Sequence, residues 1–248
     1  MRLFQYWDTG SPPPDVAPLI EAIGRDNPEH QHRLYDRESA AWLIGKHFGE
    51  RFRRAFEACA VPAMQADYFR LCALLRYGGV YVDADGHSIQ PLASLLAATP
   101  RNLMVTLDSY LTTGVMVFRT PGDPFLRAVL ELATDNIEQH QFANVYLCTG
   151  PPVADAVRAL LDPAWFGAAF EAADAWARAM RFSLLLDRAR AVTVVTAELA
   201  AAYSSIRLIT VDELAAWVGT KRPAYKSSER DWRHWQGSIY ADDPVAGA

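Results

Sequence analysis

One stretch, residues 62–90, constrains the fold of this chain more than any other. It begins with Pro62, which suits the first turn of a helix because the missing N–H has no helical partner there. Leucines at helical spacing give the segment an apolar stripe. Gly78 and Gly79 then end the helix in the manner of a C-cap, and residues 80–82 (VYV) form a buried strand. The succession of helix, glycine turn and buried strand predicts an α/β protein.

Four charged residues of this stretch form a candidate site. Asp83 and Asp85 follow the end of the strand, and the alternation of an extended chain points both carboxylates to one side. Ligands of open α/β sheets bind at such strand ends, and carboxylate oxygens suit Mg²⁺ or Mn²⁺ that also holds a diphosphate. Asp67 and Arg70 lie three residues apart on the helix, so they project from one of its faces.

The whole pattern resembles the extended signature of DXD-containing glycosyltransferases. A lone D-x-D motif is weak evidence, but here it holds fixed spacing to a helical Asp/Arg pair and a double glycine. The matching positions are Ala63, Ala66, Asp67, Arg70, Leu74, Gly78, Gly79, Tyr81, Asp83 and Asp85. The family is glycosyltransferase family 32, the "sugar-binding region containing DXD" type. It includes yeast initiating α-1,6-mannosyltransferases, bacterial capsular sugar transferases and, more distantly, clostridial glucosylating toxins.

The resemblance implies a fold and a set of roles. The fold is GT-A, a Rossmann-like nucleotide-diphospho-sugar transferase with a central mixed sheet flanked by helices. Asp85 would bind Mn²⁺ or Mg²⁺ directly, and Asp83 would contact the metal through water and also the ribose or sugar. Asp67 would accept hydrogen bonds from sugar hydroxyls, with Arg70 orienting it and contacting the donor. Tyr81 would lie against the nucleotide.

Two further segments match the family outside this stretch. Residues 2–7 predict a first strand that carries Gln5 and Trp7, and the resemblance makes Trp7 a platform for the nucleotide base. A position in the core is the alternative for Trp7. Thr149 and Gly150 precede a proline at a predicted helix start, where backbone N–H groups favour an anion or sugar oxygens. An ordinary helix start is the alternative there.

The C-terminal segment 219–248 is predicted to be a lid over the donor site, within a single domain that spans residues 1–248. Relatives end their catalytic domain with H-x-x-G-S-W. The resemblance makes His234 a third metal ligand and Ser238 a contact of the β-phosphate. A surface position next to a tryptophan is the alternative for His234. The final tryptophan is replaced by Ile239, and Tyr240 is expected to supply the missing ring.

Other positions depart from the family or add charge. Thr112 and Thr113 stand where relatives carry an asparagine, and a hydroxyl can take a similar hydrogen bond. Asp108 precedes them, either as a sugar contact or as a turn residue. Three cations of the tail are placed to neutralise a leaving diphosphate: Lys221, Arg222 and Lys226.

The expected function is metal-dependent, retaining transfer of a hexose from a nucleotide sugar to a hydroxyl of a glycan, a lipid-linked sugar or a small molecule. A UDP-sugar is the favoured donor and GDP-mannose the alternative. Two other functions stay open. VYVDADG also fits the haloacid-dehalogenase phosphatase motif, with Asp83 as nucleophile and Asp85 as acid. A catalytically inactive nucleotide-sugar-binding protein would retain the same fold.

Composition excludes several classes of protein. A net charge of −5 over 248 residues gives no basic footprint, so nucleic acid is not an expected partner. No apolar run has the roughly 20 residues that a membrane span needs, although peripheral membrane association through the acceptor stays open. The N-terminus has no signal-peptide pattern. Cys59, Cys72 and Cys148 predict buried free thiols, which fits the cytoplasm.

Apolar runs after residue 180 predict further strands. They cover Phe182–Leu186, Val192–Thr196 and Ile206–Ile209.

Overall fold

The structure is a computed structural model that describes residues 1–172, 176–229 and 231–242. Its strands are β1 (Arg2–Tyr6), β2 (Gln31–Tyr35), β3 (Gly79–Val82), β4 (Gly86–Ser88), β5 (Leu103–Leu107), β6 (Tyr110–Phe118), β7 (Arg207–Thr210) and β8 (Val218–Thr220). Its helices are α1 (Ala17–Arg25), α2 (Arg37–Phe48), α3 (Glu50–Ala58), α4 (Pro62–Tyr77), α5 (Leu92–Ala98), α6 (Pro124–Glu138), α7 (Val145–Cys148), α8 (Pro151–Leu161), α9 (Pro163–Ala172), α10 (Trp176–Val192), α11 (Ala197–Ser204) and α12 (Val211–Leu214). Residues 173–175 fall in a predicted helical segment, and residues 230 and 243–248 fall in the predicted lid; all of them lie outside the described residues.

The central sheet is mixed, as predicted. Its six strands lie in the order β2-β1-β3-β6-β5-β7. The pairs β1–β2, β1–β3 and β5–β7 are parallel, whereas β6 runs antiparallel to both β3 and β5. A second, two-stranded sheet joins β4 to β8. Because β4 begins directly after the D-x-D motif, this small sheet ties the start of the C-terminal segment to the candidate site.

The double glycine allows β3 to enter the middle of the sheet. Gly78 has a φ of 61° and Gly79 a φ of 122°, in the left-handed region that favours glycine. A Cβ on Gly79 would lie 2.7 Å from the carbonyl oxygen of Arg2 in β1. A Cβ on Gly78 would lie 2.9 Å from the carbonyl oxygen of Phe118 in β6. Glycine is therefore required on both sides for β3 to fit between its neighbours.

The main core lies between the sheet and helices α4, α6 and α8. Helix α4 is buried on nearly all faces, including the aromatic residues Tyr68 and Phe69. They pack with Phe4 of β1 and Tyr81 of β3, and all four side chains are fully buried. Burial of one such side chain contributes roughly 1.5–3 kcal/mol. The helix that carries Asp67 and Arg70 is thus held firmly against the strand that ends at the D-x-D motif.

The predictions for the C-terminal third were partly wrong. Phe182–Leu186 lies within helix α10 rather than in a strand, and residues 193–196 are a connection between two helices. A short apolar run does not distinguish a strand from a buried helical segment, and helical context decided here. The third predicted strand, Ile206–Ile209, corresponds to β7 with a shift of one residue.

One simpler prediction is confirmed. The three cysteines are buried and free. In the described part of the chain, no helix combines the length and the apolar character needed to cross a membrane.

Candidate active site

A cleft of about 440 Å³ opens at the carboxyl end of β3. Its walls come from the end of β1, helix α4, the D-x-D turn, strand β6, the start of α8 and the C-terminal segment. Ten of the residues predicted for the site line it: Trp7, Asp67, Arg70, Tyr81, Asp83, Asp85, Thr112, Thr113, Gly150 and Lys226. The fold therefore brings together residues that are separated by more than a hundred positions in the sequence.

The D-x-D motif forms a tight turn at the end of β3. The backbone N–H of Asp83 donates to the carbonyl of Gly114 at 2.8 Å, and the N–H of Gly86 donates back to the Asp83 carbonyl at 2.9 Å. Tyr81 donates its hydroxyl to Asp83 Oδ1 at 3.0 Å. Desolvation is the largest influence on the pKa of Asp83, and the net shift is upward although Arg70 opposes it.

Arg70 is the centre of a buried network. It is only 5% exposed. Its guanidinium lies 3.0 Å from Asp67 Oδ1 and 2.9 Å from Asp83 Oδ1. It also donates to Thr113 Oγ1 at 2.5 Å, so a hydroxyl fills a hydrogen-bonding role at the position where relatives carry asparagine. One side chain thus fixes helix α4, the D-x-D turn and strand β6 relative to each other.

The environment of Asp67 changes its protonation. Burial raises the pKa of this carboxyl to about 7, with Arg70 lowering it and Asp83 raising it. Thr149 also lowers it by donating its hydroxyl to Asp67 Oδ2 at 3.3 Å. Thr149 does not line the cleft itself, and its observed role is to hold Asp67 from behind. Asp67 therefore changes charge close to neutral pH.

The segment after β8 crosses the cleft; we call residues 221–229 and 231–238 the strap. Its first residue donates a backbone N–H to the carbonyl of Asp85 at 2.9 Å. Further along, Lys226 Nζ lies 3.2 Å from Asp85 Oδ2. Burial is the largest influence on the pKa of Lys226 and lowers it, but Asp85, Tyr225 and Asp83 together raise it by more, so the net shift is upward and the ammonium stays charged. The strap thus brings a cation to the second aspartate of the motif.

Each D-x-D carboxylate keeps one oxygen for a ligand. Within the described residues, neither Asp83 Oδ2 nor Asp85 Oδ1 takes part in a hydrogen bond. Strand β6 makes room for the first of these atoms, because a Cβ on Gly114 would lie 2.8 Å from Asp83 Oδ2. Two hard oxygens at the edge of the cleft fit a divalent cation such as Mn²⁺ or Mg²⁺.

Two aromatic pairs flank the cleft. The ring of Trp7 packs edge to face against the ring of Tyr225, a residue of the strap, with centroids 5.1 Å apart and an angle of 79° between the planes. Tyr146 and Trp232 stack with centroids 5.8 Å apart and an angle of 7°. Trp7 is only 7% exposed, so a base platform there would offer a limited part of the ring.

Other predicted site residues do not line the cleft. Gln5 is buried beneath the turn and donates its amide to the Asp83 carbonyl at 3.2 Å. Ser238 and His234 are exposed, and the described residues contain no group of three His, Cys, Asp or Glu side chains that could hold a metal. The structure therefore does not bring His234 to the D-x-D motif. Among the described residues, a ligand set with three protein side chains is not formed.

Tyr240 lies in the core rather than in the cleft. Its hydroxyl donates to the carbonyl of Phe142 at 2.7 Å, and its ring stacks on His140 at 4.0 Å. The backbone next to Tyr240 is hydrogen-bonded to the segment after α3, because the N–H of Ala60 donates to the carbonyl of Ile239 at 2.9 Å. Tyr240 and Ile239 therefore anchor the far end of the strap, and the tyrosine ring does not take the place of a cleft tryptophan.

Among the cleft residues that sequence reasoning missed, two bear on the carboxylates of the site. Asp231 lines it and is buried, with Arg233 held against its carboxylate at 2.9 Å. Gly114 lies beside Asp83 and leaves room for its carboxylate. No pattern around Asp231 distinguishes it from a surface acid. The sequence indicated the close approach of Asp83 to strand β6 only through the glycine at position 114, directly after two threonines.

Comparison with known proteins finds a match to a family model over part of the chain. Residues 13–102 match the model described as "Glycosyltransferase sugar-binding region containing DXD motif". Over this range, about a third of the chain, the sequence is similar to a glycosyltransferase sugar-binding region with a DXD motif. The matched range contains α4, β3 and both aspartates of the motif, so the resemblance seen in the sequence is confirmed. Gln5 and Trp7 lie before that range, and the strap lies after it.

Two relatives extend the comparison. An 85-residue stretch is 29% identical to the initiation-specific alpha-1,6-mannosyltransferase of Schizosaccharomyces pombe. It covers 32% of this chain but only 22% of that enzyme, so the chain matches about a fifth of its length. The solved structure of the PaToxG glycosyltransferase superposes with a TM-score of 0.54 at 16% identity, covering 88% of each chain. This likeness, together with the mixed six-stranded sheet, confirms the predicted α/β fold of the GT-A type.

Proposed function

We propose that the chain is a metal-dependent glycosyltransferase that moves a hexose from a nucleotide sugar to a hydroxyl group of an acceptor. One observation carries the proposal. Within the sugar-binding region, Asp83 and Asp85 meet at the edge of a cleft, and each keeps an oxygen that is not hydrogen-bonded to the described residues.

Those two oxygens would hold Mn²⁺ or Mg²⁺. When bound, the divalent cation supplies Lewis-acid stabilisation of the charge that develops on the leaving diphosphate. The two carboxylates and the diphosphate of the donor would then share the cation. This division of ligands needs no third protein side chain, which agrees with the exposed position of His234.

The remaining residues of the cleft position the donor. Asp67 accepts hydrogen bonds from sugar hydroxyls when it is ionised, and Arg70 fixes its orientation through the 3.0 Å ion pair. Tyr81 supports Asp83 through its hydroxyl, and Gly150 offers backbone at the start of α8. Trp7 would contact the edge of the base. Retention of the anomeric configuration is expected from the family resemblance, and we name no catalytic base.

A UDP-sugar remains the favoured donor and GDP-mannose the alternative. The yeast relative is named as an alpha-1,6-mannosyltransferase, which keeps mannose among the sugars to be tested. The acceptor is a glycan, a lipid-linked sugar or a small molecule, and a lipid-linked acceptor would bring the protein to a membrane surface. A cytoplasmic location stays a prediction.

The experiment is a donor panel. UDP-glucose, UDP-galactose, UDP-GlcNAc and GDP-mannose are incubated with and without Mn²⁺, and release of the nucleoside diphosphate is measured. We expect Mn²⁺-dependent release from one donor that is lost in Asp85→Asn. Asp187→Asn is the matched control, because Asp187 is exposed on helix α10 and lies outside the cleft lining.

The same panel separates the alternatives. Hydrolysis of a generic phosphomonoester that depends on Asp83, without release from any nucleotide sugar, would establish the phosphatase. Binding of a nucleotide sugar without turnover would establish the inactive binding protein. The fold and the family match favour glycosyl transfer over the phosphatase.

A further inference from the structure

The strap places a permanent positive charge at a carboxylate that is also a candidate metal ligand. Lys226 Nζ lies 3.2 Å from Asp85 Oδ2, and the two side chains are only 22% and 11% exposed. Charges this close and this shielded interact much more strongly than a surface pair. Asp83 is likewise paired, with Arg70 at 2.9 Å. With the strap in place, both carboxylates are therefore paired with cations of the protein itself.

The two cations differ in how firmly they are held. Arg70 has four side-chain partners and belongs to helix α4; the partners are Asp67, Tyr81, Asp83 and Thr113. Lys226 sits in a single turn of 3₁₀ helix (Ala224–Ser227) that has no fully buried residue. Around this turn, the strap is joined to the rest of the chain by a backbone N–H of Ala224 donated to Asp15 Oδ2 at 2.6 Å and by the contact of Tyr225 with Trp7. Lys226 can therefore leave its partner at lower cost than Arg70.

From this geometry we infer that Lys226 is an internal competitor of the divalent cation at Asp85. Before a donor binds, its ammonium compensates Asp85 and weakens metal binding. When a nucleoside diphosphate enters, its phosphate oxygens offer Lys226 another anionic partner, and Asp85 becomes available to the metal. The inference rests on the proposed function and deepens it, because it makes metal and donor bind cooperatively through one lysine.

Coupling of this kind is reciprocal. If the nucleotide raises the affinity for Mn²⁺, then Mn²⁺ raises the affinity for the nucleotide by the same factor. Removal of Lys226 would abolish the part of the coupling that it carries. The expected signature is therefore a variant that binds Mn²⁺ better than wild type when alone but gains less from the nucleotide.

The test is a titration with Mn²⁺ at fixed ionic strength, followed by the EPR signal of the free ion, with and without UDP or GDP. We expect Lys226→Met to bind Mn²⁺ on the order of tenfold more tightly than wild type in the absence of nucleotide. Lys226→Arg keeps the charge and should bind Mn²⁺ as wild type does. The matched control is Lys46→Met, which removes the same charge from an exposed position of helix α2 outside the cleft lining.

The outcomes separate the inference from the function beneath it. Equal Mn²⁺ affinity of wild type and Lys226→Met, with Mn²⁺-dependent donor release intact, would overturn the competition and leave the transferase standing. Weaker binding by Lys226→Met would also overturn it. Absence of Mn²⁺ binding from wild type, Lys226→Met and Asp85→Asn alike, with no release in the donor panel, would remove the metal-dependent function and the inference with it.

Discussion

The floor and the cover of the cleft are built in different ways. The floor is the network of Arg70 with Asp67, Asp83 and Thr113, in which the arginine is 5% exposed and reaches three elements of the fold. The cover is the strap, whose cation Lys226 has one ion pair and is partly exposed. The floor forms with the fold, whereas the cover can exchange its protein partners for those of a ligand.

The largest expected effect is a difference in the free energy of unfolding between a variant of the floor and a variant of the cover. Arg70→Met leaves two buried carboxylates without their partner, and removal of one member of a buried pair costs roughly 3–5 kcal/mol. Lys226→Met removes the same charge from the cover, where the ion pair is neither fully buried nor a surface pair, and should cost less, about 1–2 kcal/mol. Urea denaturation of both variants measures the difference. Similar losses in the two variants would show that the strap is as firmly built as the floor.

The second prediction concerns pH and the floor alone. The pKa of Asp67 is raised to about 7 in the folded protein. The folded state therefore binds this proton more tightly than the unfolded chain, so stability falls as pH rises from about 4 to about 7. Asp67→Asn should remove that part of the pH dependence, on the order of a few kcal/mol. Donor release should rise through about pH 7 in wild type, as the carboxylate forms.

Asp155 is the matched control for this prediction. Burial raises its pKa to about 7 as well, but it lies outside the cleft lining and accepts the backbone N–H of Leu111 at 3.2 Å. Asp155→Asn should flatten the stability profile as Asp67→Asn does, while its donor release still rises through about pH 7. If release followed Asp155 instead, the titration of Asp67 would not control the donor site.

The third prediction tests the room beside the floor. A Cβ at position 114 would lie 2.8 Å from Asp83 Oδ2, so Gly114→Ala should displace the carboxylate and lower Mn²⁺-dependent release by at least tenfold. The overpacking should cost roughly 1–3 kcal/mol of stability. Gly167→Ala is the control, because a Cβ there meets nothing within 4 Å. Unchanged release by Gly114→Ala would remove Asp83 Oδ2 from the proposed metal site.

The floor was predictable from the sequence because its determinants are local. Asp67, Arg70, Asp83 and Asp85 lie within nineteen positions of one another, on a helix and a strand whose joint is fixed by two glycines. Once the helix and strand are assigned, periodicity alone places the carboxylates at one edge of the sheet. The mixed sheet followed from the resemblance, and the structure and the comparisons confirm it.

The cover was not predictable in the same way. Several of its contacts join residues more than a hundred positions apart, such as Lys226 with Asp85 and Tyr225 with Trp7. The periodicity of a sequence does not indicate such distant pairs. The motif around His234 therefore suggested a metal ligand, although this residue is exposed in the structure. The strands predicted after residue 180 failed for a related reason, since packing against other helices decides the state of short apolar runs.

The smallest expected effect on stability concerns Tyr240, which follows the strap and anchors its far end. Tyr240→Phe removes a hydroxyl that donates to the carbonyl of Phe142 at 2.7 Å and accepts the N–H of the same residue at 3.3 Å. Loss of these buried hydrogen bonds should cost about 1–2 kcal/mol and lower the melting temperature. Donor release measured where the variant is folded should match wild type, because the ring anchors the strap outside the cleft. A fall in release under those conditions would return Tyr240 to the donor site, as the resemblance suggested.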